Sequence, residues 1–304
     1  MPELSVIICT HNPNPAFLRR VLAAVQAQTL PLEQWELLLV DNASHEPLAP
    51  AWDLSWHPYG RHVREARLGL TPARLRGIAE ARSGLLIFVD DDNLLRGDFV
   101  AKALEISREY PWLGAWGGNV VGEFEQPVPG WARPHLQALA LRDVDRDYWS
   151  NYLVDNRSLP FGAGLCVRQA VAKAYERALA ARPASMDLDR KGTSLVSAGD
   201  IDLAMTAYDA GYGTGMFQRL HTTHLIPKAR LTVDYLCRLL EGIEYSTHLL
   251  RNQRNADYAP AGRSGLDRWL RLYQVWRLPE PIKSFARAQS RGLAKARAEI
   301  SSKS

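Results

Sequence analysis

Leu85-Leu86-Ile87-Phe88-Val89-Asp90-Asp91-Asp92-Asn93 is a run of five apolar residues that ends in three consecutive carboxylates. The five have the length and the β-branched and aromatic content of a strand buried on both faces. Asp90, Asp91 and Asp92 then stand at its C-terminal edge. Ligands of open α/β sheets collect at the carboxyl ends of the strands. Three adjacent anions repel one another and need a counter-charge. Mg2+ or Mn2+ suits them, because these ions take oxygen ligands and bridge to a substrate phosphate. A solvated acidic turn is the plainer reading of an isolated acidic triplet, and the placement at a strand end is what tells against it.

Upstream, Leu4 to Cys9 is another buried strand. It ends in Thr10-His11-Asn12-Pro13-Asn14-Pro15, which is turn chemistry. Asn14 and Pro15 form an N-cap followed by proline at the first helical position. Leu18, Val21, Leu22 and Val25 then share one helical face. Trp35 to Val40 is a second apolar strand, followed by Asp41-Asn42-Ala43-Ser44. Strand, helix and strand with polar residues at each strand end make a βαβ unit of a parallel sheet. Residues 45–60 read as a loop and 62–65 as a short strand. Thr71-Pro72 is expected to cap a helix running to about Arg82. Arg74 and Arg76 near its start oppose the helix dipole, either as solvated arginines or as partners of an arriving anion.

Downstream, 97–110 reads as an amphipathic helix and 112–122 as a Gly-containing strand. Residues 124–160 lack periodicity, and a long irregular segment in a compact domain is usually functional or mobile. Phe161-Gly162-Ala163-Gly164 turns into a short strand, and a helix follows over about 169–181. Gly199-Asp200-Ile201-Asp202-Leu203 opens another helix, where Asp200 and Asp202 read first as dipole-favoured capping residues. His221 and His224 read first as packing or surface histidines. The remainder is helical. Leu236, Leu239, Leu240 and Ile243 share a face, as do Leu266, Trp269, Leu270, Tyr273 and Trp276, and 282–300 is a weaker basic amphipathic pattern. These helices either pack on the core or a second subunit, or lie on an anionic membrane surface through Trp and Arg.

The 304 residues, 46% hydrophobic and 23% charged, are enough for one large domain or two smaller ones. Cys9, Cys166 and Cys237 are odd in number and far apart, which opposes a disulfide framework or a cysteine metal site. No basic leader precedes an apolar run and no apolar stretch spans a membrane, so the expected location is the cytoplasm, or the periphery of the inner face of the cell membrane. The net charge of +4 is uneven: from Ile226 onward there are 15 Lys/Arg against 7 Asp/Glu. That concentrates the basic excess in a tail and opposes a nucleic-acid-coating protein.

Several separated segments together resemble family 2 glycosyltransferases. Ser-Val-Ile-Ile-Cys-Thr-His-Asn at 5–12 is similar to that family's opening strand, and Leu-Val-Asp-Asn-Ala-Ser at 39–44 to its second-strand nucleotide loop. Residues 64–74 and Phe-Val-Asp-Asp-Asp-Asn at 88–93 resemble its Arg-bearing helix and its Asp-x-Asp site. Phe-Gly-Ala-Gly at 161–164 and Gly-Asp-Ile-Asp-Leu at 199–203 resemble its acceptor-side turn and catalytic-base motif. The match covers about residues 4–230. Where the family commonly has Glu-Asp, this chain has Gly199-Asp200, so the aspartate stays and the glutamate's contribution is missing. The family's processivity motif, Gln-x-x-Arg-Trp, is absent, since Asn252-Gln253-Arg254-Asn255 lacks the tryptophan.

The resemblance implies a GT-A type, Rossmann-like α/β domain with a mostly parallel central sheet over 1–228, divided into a nucleotide-sugar half (1–123) and an acceptor half (124–228). A basic helical extension occupies 229–304. It implies an inverting, metal-dependent enzyme that moves one sugar from a nucleotide-diphosphate sugar to a hydroxyl acceptor in polysaccharide or glycoconjugate biosynthesis. The acceptor would be a saccharide, a lipid-linked saccharide or another hydroxyl compound. Asp90 and Asp92, with His224, would hold Mn2+ or Mg2+ against the diphosphate. Thr10, His11, Asn12, Asp41, Asn42, Arg67, Gly69 and Arg74 would surround the nucleotide, and Asp91 would face either the ribose or the metal. Asp200 would be the general base. Trp131, Gly162, Ala163, Gly164 and Asp202 would lie on the acceptor side, with 124–160 as a lid. Contact with an anionic membrane and a homodimer are further expectations, and nucleic acid is not an expected partner.

Rival classes fit less well. A nucleotidyltransferase wants a Gly-rich basic loop after the first strand. A haloacid-dehalogenase-type phosphatase wants its Asp-x-Asp near the chain start, and a dinucleotide oxidoreductase wants Gly-x-Gly-x-x-Gly. A non-catalytic sugar-nucleotide-binding scaffold would have no reason to keep both the Asp triplet and Asp200.

Overall fold

The computed structural model describes residues 2–152, 156–182, 189, 195–260 and 273–303. Strands β1 (Leu4–Thr10) and β2 (Trp35–Asn42) are buried along their whole length, which is why both read as continuous apolar runs. Helix α1 (Pro15–Gln26) joins them. The Asn14 side chain accepts from the Ala16 N–H at 2.9 Å and Pro15 takes the first helical position, as the sequence predicts. β3 (Gly60–Glu65) follows, then α2 (Leu70–Glu80). The expected cap of α2 is corrected: Gly69, not a side chain at Thr71, is the N-cap. Its φ of 140° suits glycine, and its N–H donates to Asn42 Oδ1 at 2.8 Å, so the loop after β2 fixes where the helix begins. Thr71 and Pro72 are therefore buried inside the first turn.

β4 (Leu85–Asp90) is the apolar run that leads into the acidic triplet, and its first five residues are buried. After it come β5 (Asn93–Leu95), α3 (Phe99–Glu109), β6 (Leu113–Phe124), β7 (Tyr148–Ser150), β8 (Leu165–Arg168), α4 (Gln169–Ala181), α5 (Gly199–Asp209) and β9 (Gly213–Ile226). Among the described residues the sheet runs β3-β2-β1-β4-β8-β6-β9-β5, with β7 on β9. The first four strands are mutually parallel. From β4 onward the pairs β4–β8, β6–β8, β5–β9 and β7–β9 are antiparallel. The sheet is thus mixed, and the parallel character expected of most of it belongs to its first half. A parallel neighbour needs a crossover of about a dozen residues or more, which α1 and α2 help supply. β5 begins within three residues of β4 and has no such connection.

Alternate residues of β1 divide the core into two layers. Leu4, Val6 and Ile8 pack with Leu18, Val21 and Val25 of α1 and with Phe99 and Val100 of α3. Ile7 and Cys9 pack with Ala73 and Ile78 of α2, Val171 of α4 and Leu203 of α5. At the N-terminal end of the sheet the buried Glu36 carboxylate accepts from Ser5 Oγ and the Arg82 N–H, both at 2.6 Å, and from Arg61 at 3.1 Å.

The chain divides into two compact units: Met1–Glu123, Ala140–Met186 and Gly199–Ile226 form one, and Phe124–Leu139, Asp187–Ala198 and Pro227–Ser304 the other. The segment expected as one acceptor half is therefore shared between them. Within residues 124–152 the structure is also more regular than the absence of periodicity suggests. Gly130–Leu139 is a 3-10 helix of the second unit, and Arg142 and β7 join the sheet of the first.

In the second unit α6 (Val233–Arg254) packs on α7 (Ile282–Lys303). Phe285, Ala288, Ala296 and Ile300 of α7 are buried, so its apolar stripe is spent on packing. A Cβ at Gly292 would lie 2.3 Å from the Glu241 carbonyl oxygen, so the glycine permits the close crossing. Glu241 accepts from Arg291 at 2.8 Å and pairs with Lys295. Burial alone would raise the Glu241 carboxyl, but these two cations outweigh it and hold it below the ordinary range. The expected face through Leu266, Trp269 and Leu270 lies outside the described residues. Among the described residues no helix is long and apolar enough to cross a membrane.

Candidate active site

Four parallel strands end side by side, and the loops leaving them interlock. After β1, Asn12 adopts φ 47° and donates its backbone N–H to Ser44 Oγ at 3.0 Å, while its Oδ1 accepts from the His45 N–H at 2.9 Å. His11 Nδ1 lies 2.8 Å from the Asn42 carbonyl oxygen, and the His11 and His45 rings meet edge-on at 6.1 Å. After β2, Asn42 Nδ2 donates to the Arg67 carbonyl at 2.8 Å, which ties the third loop to the second. Arg67 itself is exposed.

Asp41 is the hub of the β2 loop. It accepts from the Ser44 N–H at 3.0 Å and the Leu48 N–H at 3.3 Å, and it pairs with Arg64. Burial pushes its carboxyl up, but the bonds from Ser44, Leu48 and Arg64 outweigh that and keep it below the ordinary carboxylate range. Arg64 is its register partner on β3, a contact that sequence reading missed because it depends on strand register. Ser44 and His45 were missed for the same kind of reason: their partners lie on the loop after β1.

The acidic triplet separates by direction. Asp91 accepts from Thr10 Oγ1, which holds it toward the end of β1. Asp92 is buried and turns toward β9, where its Oδ2 lies 3.4 Å from His224 Nε2. Asn93 Nδ2 donates to Asp92 Oδ1 at 2.5 Å, and the Asp92 carbonyl accepts from the Leu225 N–H at 2.8 Å. Asp90 is half-buried at the strand end, in register with Cys9. Asp92 and His224, 132 residues apart in sequence, are thus brought together by β9, with His224 opposite Asn93 in the β5–β9 ladder. Among the described residues no three His, Cys, Asp or Glu side chains surround a common cation position.

A second centre forms at Gly162. Its N–H donates to Asp200 Oδ2 at 2.7 Å. A Cβ there would stand 2.9 Å from Arg74 Nη2 and 3.2 Å from Asp200 Oδ2. The glycine therefore lets a buried guanidinium and a carboxylate approach the same backbone position. Asp200 Oδ1 accepts from the Ile201 N–H at 2.9 Å, so both carboxylate oxygens are fixed at the start of α5. Arg74 lies deeper in α2 than the exposed Arg76, which pairs with Glu80 at 2.8 Å. Gly164, φ 75°, faces Thr222 and Phe99 instead, and Ala163 is buried in the same turn. Asp202 is buried inside α5. Trp131 belongs to the second unit, where its ring lies 5.9 Å from that of Phe285.

A family model described as "Glycosyl transferase family 2" matches residues 5–170. "Glycosyltransferase AglE" of Haloferax volcanii is 25% identical over 218 residues, which cover 70% of this chain and 63% of AglE. This chain therefore spans less than two thirds of that relative's length. The crystal structure of S. aureus TarS superposes with a TM-score of 0.56 at 14% identity, covering 99% of this chain and 55% of TarS. TarS 1-349 in complex with UDP-GlcNAc superposes with a TM-score of 0.54 at 14% identity, covering 99% of this chain and 91% of that one. At that identity the likeness is one of fold.

Proposed function

Because this chain belongs to glycosyl transferase family 2, we propose that its two centres are the halves of one sugar-transfer site. The reaction is a single inverting displacement from a nucleotide-diphosphate sugar to a hydroxyl acceptor. The observation that carries the reading is the meeting of Arg74 and Asp200 at Gly162. Transfer needs a cation for the diphosphate that leaves and a base for the hydroxyl that attacks, and this position supplies both.

The loops after β1, β2 and β3 receive the nucleotide. Thr10, His11, Asn12, Asp41, Asn42, Arg67 and Gly69 wall it, and Asp91, turned to Thr10, serves the nucleoside side. A buried carboxylate with an imidazole beside it fits one divalent cation. Mg2+ and Mn2+ commonly take one or two carboxylates and draw their other ligands from substrate phosphate and water, so an all-protein cage is not required. Asp92 and His224 would hold that ion, with Asp90 at its edge. When bound it neutralises charge on the leaving diphosphate. Arg74 adds a fixed positive charge for the same group. The Asp200 carboxylate takes the acceptor hydroxyl's proton as that oxygen bonds to the anomeric carbon. The bond from that carbon to the diphosphate breaks and the nucleoside diphosphate departs with the electron pair. One displacement inverts the anomeric configuration. The two N–H groups on Asp200 hold its carboxylate in place for that step.

UDP-sugars are the donor class to test first, since the TarS 1-349 structures with which this chain shares a fold are complexes with UDP and with UDP-GlcNAc. Transfer or hydrolysis of UDP-GlcNAc in Mn2+ should fall about a hundred- to ten-thousandfold in Asp200→Asn, while donor binding is kept. A donor at a hundred times its Kd stabilises the fold by about 2.7 kcal/mol in total, and Asp92→Ala should instead lose the Mn2+-dependent part of that. Normal turnover by Asp200→Asn would remove the base from this account.

Tyr273 and Trp276 support a peripheral membrane contact in the same unit as α7. Both are exposed and stacked at 6.4 Å, and the Arg277 guanidinium lies 5.7 Å from the Tyr273 ring centre. Trp276→Ala should reduce co-sedimentation with phosphatidylglycerol vesicles and leave donor binding unchanged. Equal sedimentation of the two proteins would rule the contact out.

A further inference from the structure

Residues 159–162 carry the Gly162 N–H to Asp200, and a side chain from elsewhere in the chain grips them. The Arg142 guanidinium lies over the Phe161 ring, 4.3 Å from its centre. Its Nη2 donates to the Leu159 carbonyl at 3.1 Å. Arg142 is itself held by the sheet. Its N–H donates to the Val120 carbonyl at 3.0 Å and its carbonyl accepts from the Val120 N–H at 2.8 Å. Pro160 of the same turn packs close to β6, since a Cβ at Gly117 would meet its Cβ at 3.0 Å.

Arg142 is half-buried and its Nε is a buried donor without a hydrogen-bond partner among the described residues. Burial also pushes its pKa down. Holding a cation there costs free energy that one carbonyl and one aromatic face only partly offset. A leucine or methionine would pack the same space without that cost. The cation's distinctive contribution is to grip a backbone carbonyl and a ring on the same short turn.

We infer that Arg142, through Phe161 and the Leu159 carbonyl, is a positioning residue that aims the Gly162 N–H at Asp200 and so orients the carboxylate for proton transfer. The inference rests on the sugar-transfer reading for its kinetic consequence, although the positioning itself is observable without any substrate. A base displaced by about 1 Å costs turnover steeply, whereas the loops that receive the nucleotide are held by bonds to one another.

The test compares Arg142→Ala, Arg142→Lys, Phe161→Leu and Phe161→Tyr in the full chain. Amide hydrogen exchange is read first. The Gly162 amide should exchange at least about tenfold faster in Arg142→Ala and Phe161→Leu than in the wild type, with the β1 amides unchanged. Phe161→Tyr should keep the wild-type rate, and Arg142→Lys should be intermediate. With UDP-GlcNAc and Mn2+ as probe, kcat should fall about ten- to a hundredfold in the first two variants while the donor KM stays within about twofold. Unchanged Gly162 exchange, or a parallel loss at the β1 amides, would overturn the positioning role. So would a raised donor KM at constant kcat. If Arg142→Ala does not fold, the Phe161 pair and Arg142→Lys decide the question. Failure of the sugar-transfer reading shows separately, as normal turnover in Asp200→Asn, and leaves the exchange result standing.

Discussion

At Asp91 and Asp92 two neighbouring carboxylates turn to different partners, one to Thr10 and the other to His224. The sequence shows a crowded triplet and no way to order it. The order comes from strands that arrive later, because His224 is placed only when β9 pairs with β5. Asp200 was legible as a motif, but its bond to Gly162 was not, since 38 residues and a turn separate them. A buried histidine away from the site gives a test at this scale. His57 meets Trp35 edge-on at 4.2 Å, its Nδ1 accepts from the Tyr59 N–H at 3.1 Å, and burial lowers its pKa from 6.5 to about 4. The unfolded chain therefore takes up this proton first as pH falls. The stability His57 contributes is complete above its unfolded pKa of 6.5 and is lost as pH falls toward about 4. The total loss is on the order of 3 kcal/mol. His57→Asn keeps an acceptor and removes the titration. Its thermal unfolding should show a shallower decline from pH 7 to pH 4.5 than the wild type, and parallel profiles would contradict this assignment.

At the scale of elements, α2 shows how packing reaches the site. The helix lies so close to the sheet that a Cβ at Gly77 would stand 2.5 Å from Ile7 Cγ2. Gly77→Ala must lift the helix or shift the strand, at a cost of about 1–3 kcal/mol. Arg74 rides on the same helix, so the variant should lower the urea midpoint and weaken UDP binding together. A lowered midpoint with unchanged UDP affinity would mean that Arg74 does not contact the diphosphate. The N-cap of this helix was misread because proline and threonine are the stronger local signals. Gly69 wins because Asn42 anchors it, a tertiary contact with no local trace. α7 shows the same limit from the other side. Its basic amphipathic pattern suits an interface of any kind, and only the Gly292 crossing on α6 shows that its stripe is used internally.

At the scale of the molecule, the parallel half of the sheet was legible because buried parallel strands leave continuous apolar runs and their connections carry helical periodicity. The antiparallel half was harder to read. β5 and β7 are three residues each, too short for a period to show. The Glu36 network is a separate test of the sheet. Glu36→Ala would leave Arg61, Ser5 and the Arg82 N–H without their shared acceptor, although Arg61 keeps Glu80 and Ser5 keeps Ser83, and should destabilise the protein by about 1–3 kcal/mol in urea unfolding. Retained stability would show that the network is dispensable. Its position at the opposite end of the strands from the loops predicts that turnover per folded molecule is unaffected.

In the proposed mechanism one displacement, with Asp200 as base, moves the sugar. Proton NMR of the first-formed product from UDP-α-GlcNAc and Mn2+, recorded before mutarotation, tests it most directly. The wild type should show the large anomeric coupling of the β configuration, and Asp200→Asn no product above background. An α product from the wild type, or β product formed equally fast by the variant, would contradict it.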